Sequence, residues 1–166
     1  MTTAAVRIGV AAGLLGLSAV AAAAQVATYR NERHGFSLSF PAGAFAPDTE
    51  SPSDDGRVFV SPDGRVRLLA GALPNADRVS LRDYRALLLQ RSYPGAEVDY
   101  APVRGTWFVL SGTMDGTMFY ERVTFTCGGR LINSWAMLYP AAERQTWDPV
   151  VEQVARSYRP GEASCG

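Results

Sequence analysis

The sequence has no lysine: all 16 of its cationic side chains are arginines, balanced by 16 carboxylates. The arginines are scattered rather than clustered, so the chain offers no electrostatic footprint for nucleic acid or anionic lipid. A GC-rich coding sequence, also visible in the abundant Ala, Gly, Val and Pro, accounts for the missing lysine. Histidine occurs once, as His34, and cysteine twice, as Cys127 and Cys165. Two thiols and one imidazole make a poor zinc set. There is no C-x-x-C pair, no H-E-x-x-H and no EF-hand loop. No G-x-S-x-G elbow follows residue 24, and Gly128-Gly129-Arg130 lacks the G-K-[ST] of a phosphate loop. These absences exclude the motif-bearing enzyme classes and predict neither cofactor nor metal. Paired acidic residues of a hydrolase escape such a search, because their separation is set in space and not along the chain.

Long apolar runs are missing except at the start. One positive charge, Arg7, precedes an uncharged stretch from Ile8 to Ala24 that ends in four alanines. A short cationic start, an apolar middle and an A-x-A end predict a signal peptide over 1–24, cleaved before Gln25. The expected product is one domain over 25–166, periplasmic or secreted from a Gram-negative bacterium and not held in the membrane after cleavage. Removal of Arg7 leaves a net charge of about −1. An even cysteine count in an exported chain predicts a disulfide between Cys127 and Cys165, closing a loop of about 39 residues and pinning the tail.

Along the domain, residues 25–35 read as a polar lead-in, and 36–40 alternate apolar and polar as a half-buried strand stopped by Pro41. A loop over 41–56 follows. Ser61-Pro-Asp-Gly64 lies between apolar runs at 57–60 and 65–71, a hairpin signal. Ser80 with Asp83 three residues on predicts a capped helix whose inner face carries Leu81, Tyr84, Leu87 and Leu88. Tyr93-Pro-Gly95 ends it. Four strands are expected at 96–103, 105–113, 117–127 and 130–139, with tight turns at Asp115-Gly116 and Gly128-Gly129. Residues 107–110 are apolar on both faces, as a strand covered from both sides would be. Asp148-Pro149 reads as the cap and first residue of a last helix, with Val150, Val151, Val154, Ala155 and Tyr158 inward. Strands, helix, hairpin strands and helix in that order give an α+β domain.

The residues Tyr29 and His34-Gly35-Phe36-Ser37-Leu38-Ser39-Phe40-Pro41, then Asp63-Gly64, Tyr139-Pro140, Asp148-Pro149-Val150-Val151 and Ser157-Tyr158-Arg159-Pro160, together resemble the Mog1/PsbP-like fold family, in particular its small exported bacterial members. The resemblance implies a three-layer α/β/α sandwich around a mainly antiparallel sheet. It also implies action by binding, since members with known roles are partners of a small GTPase or extrinsic subunits of photosystem II. Neither of those two roles transfers with a shared fold.

Two features stand out as candidate chemistry. His34, at the mouth of the first strand, reads as a partly exposed turn residue, because a general base needs an oriented nucleophile. Tyr120, Arg122 and Thr124 share one face of the 117–127 strand, opposite Phe119, Val123, Phe125 and Cys127, with Trp107, Trp135 and Tyr139 on neighbouring strands. An arginine among aromatics on a sheet suits an anionic or planar ligand. The expected function is therefore an exported, non-enzymatic binding or accessory domain for an envelope protein or small ligand. An envelope hydrolase with dispersed acidic residues is the alternative, and it requires a pocket holding two carboxylates with perturbed pKa values.

Overall fold

Strand-forming runs separated by turn residues dominate the chain, and they assemble antiparallel throughout. The computed structural model describes residues 25–50 and 53–165; the expected signal peptide over 1–24 lies outside them. Strands β1 (Val26–Arg30) and β2 (Ser37–Pro41) form a separate hairpin. The main sheet contains β3 (Ala46–Pro47), β4 (Gly56–Val60), β5 (Arg67–Pro74), β6 (Glu97–Tyr100), β7 (Val103–Arg104), β8 (Trp107–Met114), β9 (Thr117–Thr126) and β10 (Leu131–Pro140). Its order is β3-β4-β5-β10-β9-β8-β6, with β7 beside β8. Helix α1 (Leu81–Arg91) lies on one face, and helix α2 (Arg144–Ser157) lies on the other beside the β1–β2 hairpin. The expected three-layer sandwich is present, with one outer layer shared between a helix and a hairpin.

Each face of the sheet builds its own core. On the α2 side, Phe36 just before β2, Leu38 and Phe40 of β2, and Val151 and Val154 of α2 pack on Leu68, Trp135 and Met137. On the α1 side, Phe108, Leu110, Phe119, Val123 and Ile132 are buried beneath Leu81, Tyr84 and Leu88. On β8, Phe108 and Leu110 enter the α1-side core, while Val109 between them is buried on the other face. Ser80 caps α1 as expected: its hydroxyl oxygen accepts the Asp83 amide at 3.1 Å, and its O–H donates to the Asp83 carboxylate at 2.7 Å. Asp115 (φ 49°) and Gly116 (φ 76°) supply the two consecutive left-handed residues of a type I′ hairpin turn.

Four expectations are corrected. The lead-in over 25–35 contains β1, whose alternation is carried only by Ala27 and Tyr29 packed inward. The strand expected at 96–103 is two short pieces, because pairing with β8 shifts between Val98 and Tyr100 and Pro102 cannot donate to a ladder. The turn after β9 is a short 3₁₀ turn, Cys127–Gly129, with left-handed φ already at Cys127 (56°). Finally, α2 starts at Arg144, so Pro149 is inside the helix and Asp148 is not its cap. Asp148 instead accepts the Tyr139 hydroxyl at 2.7 Å and faces Arg144 at 3.5 Å.

Candidate functional site

The alternation of β9 places Tyr120, Arg122 and Thr124 on one face, the α2 side of the sheet. Register sets their neighbours: Arg122 lies opposite Trp135 on β10, and Thr124 opposite Trp107 on β8. The Arg122 guanidinium carbon sits 4.6 Å from the centre of the Trp107 ring. Tyr120 stacks on Trp135 at 5.0 Å, and Trp135 meets Tyr158 at 6.2 Å. Tyr100, opposite Ser111 and so in the same row as Tyr120, is 56% exposed and extends this shelf to the sheet edge. Thr124 is buried beneath it, and Tyr139 is spent on Asp148.

Four buried polar atoms here have no partner among the described residues: Arg122 Nε, Thr124 Oγ1, Trp135 Nε1 and Tyr158 OH. Buried polar groups are almost always paired; Arg57 Nε and Arg85 Nε are unpaired as well, but on this face of the sheet four such atoms occur together with one guanidinium. Arg122 forms no ion pair among the described residues. Burial pushes the Tyr120 and Tyr158 phenols above their usual range, and Arg122 beside them opposes both shifts.

The opposite face carries a feature that the sequence reading missed. Helix α1 covers β8, β9 and Ile132 of β10, so β4, β5 and the rest of β10 are left open beside its C-terminal end. A groove of about 590 Å³ results, walled by Val58, Leu69, Leu73, Ala136, Leu138 and Leu88. Glu121 lines it and is only 7% exposed. It occupies the row of Phe119 and Val123, and a lone carboxylate interrupting an apolar row was the available signal. Tyr93 donates its O–H to Glu121 Oε2 at 2.6 Å. Burial pushes the Glu121 carboxyl above the carboxylate range against that hydrogen bond, and the Tyr93 phenol is raised as well.

Asp55 also borders this groove, and its carboxyl shifts the other way: the His34 hydrogen bond, then Arg33, hold it below the usual range. Two oppositely shifted carboxylates are what the hydrolase alternative requires. They stand at well-separated strands of the sheet. Asp55 pairs through its carbonyl with Ala72 of β5, while Glu121 is on β9, two strands beyond β5. Three interstrand steps separate their backbones by about 14 Å across the sheet.

His34 differs from expectation: it is buried, at 2% exposure. Its Nδ1 lies 2.9 Å from the Ser164 hydroxyl, and its Nε2 lies 2.8 Å from Asp55 Oδ1. Serine, imidazole and carboxylate in series have the membership of a hydrolytic triad. Among the described residues, the remaining parts are absent around Ser164. The amides beside it, of Ala163 and Cys165, already donate to the carbonyls of His34 and Glu162, so neither is free to stabilise an oxyanion. Ser164 lines neither the groove nor the smaller polar cleft beside Tyr29 and Arg57. The series ties the segment after α2 to the start of β2, where Ser37 and Arg159 also exchange backbone hydrogen bonds.

Comparison with solved structures decides the fold. The chain is similar to cyanobacterial PsbP (CyanoP) of Synechocystis sp. PCC 6803, with a TM-score of 0.59 and 16% identity over 89% of this chain and 99% of that one. It is similar to the Ran-binding protein Mog1p of Saccharomyces cerevisiae, with a TM-score of 0.58 and 10% identity over 86% and 99%. A Mog1 point mutant gives 0.59 and 10% over 84% and 98%. The fold is Mog1/PsbP-like. No family model and no curated protein matches the sequence. Within this Mog1/PsbP-like domain, Cys127 and Cys165 stand at disulfide-bonding distance, with Cα atoms 5.1 Å apart. Arg130, beside the cysteine turn, donates to the Cys165 carbonyl at 2.6 Å. No described helix is long and apolar enough to cross a membrane.

Proposed function

We propose that this chain is an exported, non-enzymatic binding domain of the cell envelope that receives an oxyanion-bearing, flat-sided ligand on the Arg122 shelf. One observation carries the reading: a guanidinium held against Trp107, with its Nε buried and no carboxylate partner among the described residues. Arginine presents a planar fork that matches carboxylate and phosphate geometry, and a stacked fork loses little freedom on binding. Tyr120 and Tyr100 offer hydroxyls beside it, and the aromatic rings offer a surface for a planar group.

The oxyanion belongs either to a small molecule or to an acidic group of an envelope protein. A Ran-binding protein among the similar structures supports protein partners for this fold. Export is supported by the first 24 residues, and an oxidised Cys127–Cys165 bond suits such a compartment. Phenyl phosphate and benzoate are suitable probes, with benzyl alcohol as the uncharged control. Titration calorimetry is expected to show saturable binding of the two anions. Arg122→Gln is expected to weaken it about 10- to 100-fold, since a charge-assisted hydrogen bond contributes roughly 1.5–3 kcal/mol. Equal affinity for anions and alcohol, or an unaffected Arg122→Gln variant, would overturn the reading.

A further inference from the structure

The groove on the α1 side is a second binding site, and its chemistry differs from that of the shelf. The structure assigns to it an apolar ligand bearing a primary ammonium group, the chain lying along β5 and β10 and the nitrogen seated against Glu121. Its volume of about 590 Å³ falls within the range of roughly 300–1,000 Å³ usual for small-molecule sites. The wall is mainly apolar, supplied by side chains of β4, β5, β10 and α1, with Tyr93, three serines and the Glu121 carboxyl among its polar members. A carboxylate in such a wall is costly to bury unless it meets a cation or sufficient donors.

The protein supplies Glu121 with one donor, the Tyr93 hydroxyl on Oε2; Oε1 has no partner among the described residues. Glu121 therefore has acceptor capacity left over in a groove whose lining is mainly Val, Leu, Ala and Gly. The two other charged residues at the groove are Asp55 and Arg57, on the far side of β5. Asp55 is already committed to His34 and Arg33. Arg57 has no ion-pair partner among the described residues and its Nε is unpaired, but it stands on β4, three interstrand steps from Glu121 on β9. An ammonium group complements Glu121 in charge and in donors, and an attached alkyl chain complements the wall.

The probe is n-octylammonium below its micellar concentration, compared with n-octanol and n-octanoate on the chain lacking residues 1–24. Octylammonium is expected to bind at least tenfold more tightly than octanol, and octanoate more weakly than either. Glu121→Gln keeps an oxygen to accept the Tyr93 hydroxyl, so the fold should hold, and it is expected to erase the preference for the cation. Ser134→Phe, which fills the groove from β10, is expected to abolish binding of all three. Arg122→Gln is expected to leave octylammonium binding unchanged, which separates this site from the shelf. Equal binding of octylammonium and octanol, no binding of either, or a cation preference that survives Glu121→Gln in a folded protein would overturn the assignment. If Glu121→Gln fails to fold, the octanol comparison and Ser134→Phe decide the matter.

Discussion

Asp63 and Glu121 show how single side chains set the response of this domain to pH. The Asp63 carboxylate accepts the Ser61 hydroxyl at 2.6 Å, the Arg65 amide at 3.1 Å and the Arg65 guanidinium at 2.8 Å, and these bonds hold its pKa down to about 2. A depressed folded-state pKa means that the unfolded chain binds more protons in the window between about 2 and about 4. The Asp63 contribution is therefore complete above that window and lost as pH falls through it. Glu121 has the opposite sign: its folded pKa is raised, so stability declines as pH rises above the usual value of 4.5. Thermal melts from pH 2 to 8 should show Asp63→Asn flattening the acid limb and Glu121→Gln gaining on the parent above pH 5. Parallel profiles for parent and variants would contradict both assignments. At the same scale, the Ser164–His34–Asp55 series is expected to be inert. A fluorophosphonate probe should leave the folded protein unlabelled, and stoichiometric labelling of Ser164 would make it a nucleophile.

At the scale of elements, what was legible in the sequence follows from local chemistry. Ser80 and Asp83 announce α1 because a cap satisfies its own amides. Asp115-Gly116 announces the β8–β9 turn because it needs left-handed φ. Pro149 misled because proline is favoured at a first helical turn, while the preceding 3₁₀ turn over Ala141–Glu143 starts the coil earlier. Strand β1 was hidden because its inward residues are few. The close approach of strands at Gly112 and of the tail at Gly161 was equally invisible, since it depends on tertiary pairing. A Cβ at Gly112 would run into the Glu97 carbonyl on β6, and one at Gly161 into the His34 carbonyl. Gly112→Ala and Gly161→Ala are each expected to cost about 1–3 kcal/mol by overpacking, read as a lowered midpoint in urea. An unchanged midpoint would mean that these backbones do not meet as described.

At the scale of the whole molecule, two faces of one sheet present different chemistry because α1, α2 and the β1–β2 hairpin cover it incompletely. Arg122 could be picked out from alternation alone, because its row contrasts with an apolar one. The orphaned donors around it depend on register, which no local pattern fixes. Glu121 was passed over because a single polar position in an apolar row reads as noise until the row is known to be buried. The cysteine pair spans 38 residues and fastens the segment after α2 to the end of β9. Loop closure of that size contributes about 4 kcal/mol in the chain-entropy model. Cys165→Ser is expected to lose most of it in denaturant melts, and the unreduced parent should show no free thiol. Free thiols in protein recovered from the envelope would contradict an oxidised bond.

Whether binding centres on Arg122 is tested most directly by chemical-shift mapping of the protein titrated with phenyl phosphate. The account predicts saturable shifts confined to the Trp107 and Trp135 indoles, the Arg122 side chain and the amides of β8 and β9 around them, all absent in Arg122→Gln. Shifts centred on the α1-side groove, or no saturable shifts at all, would contradict it.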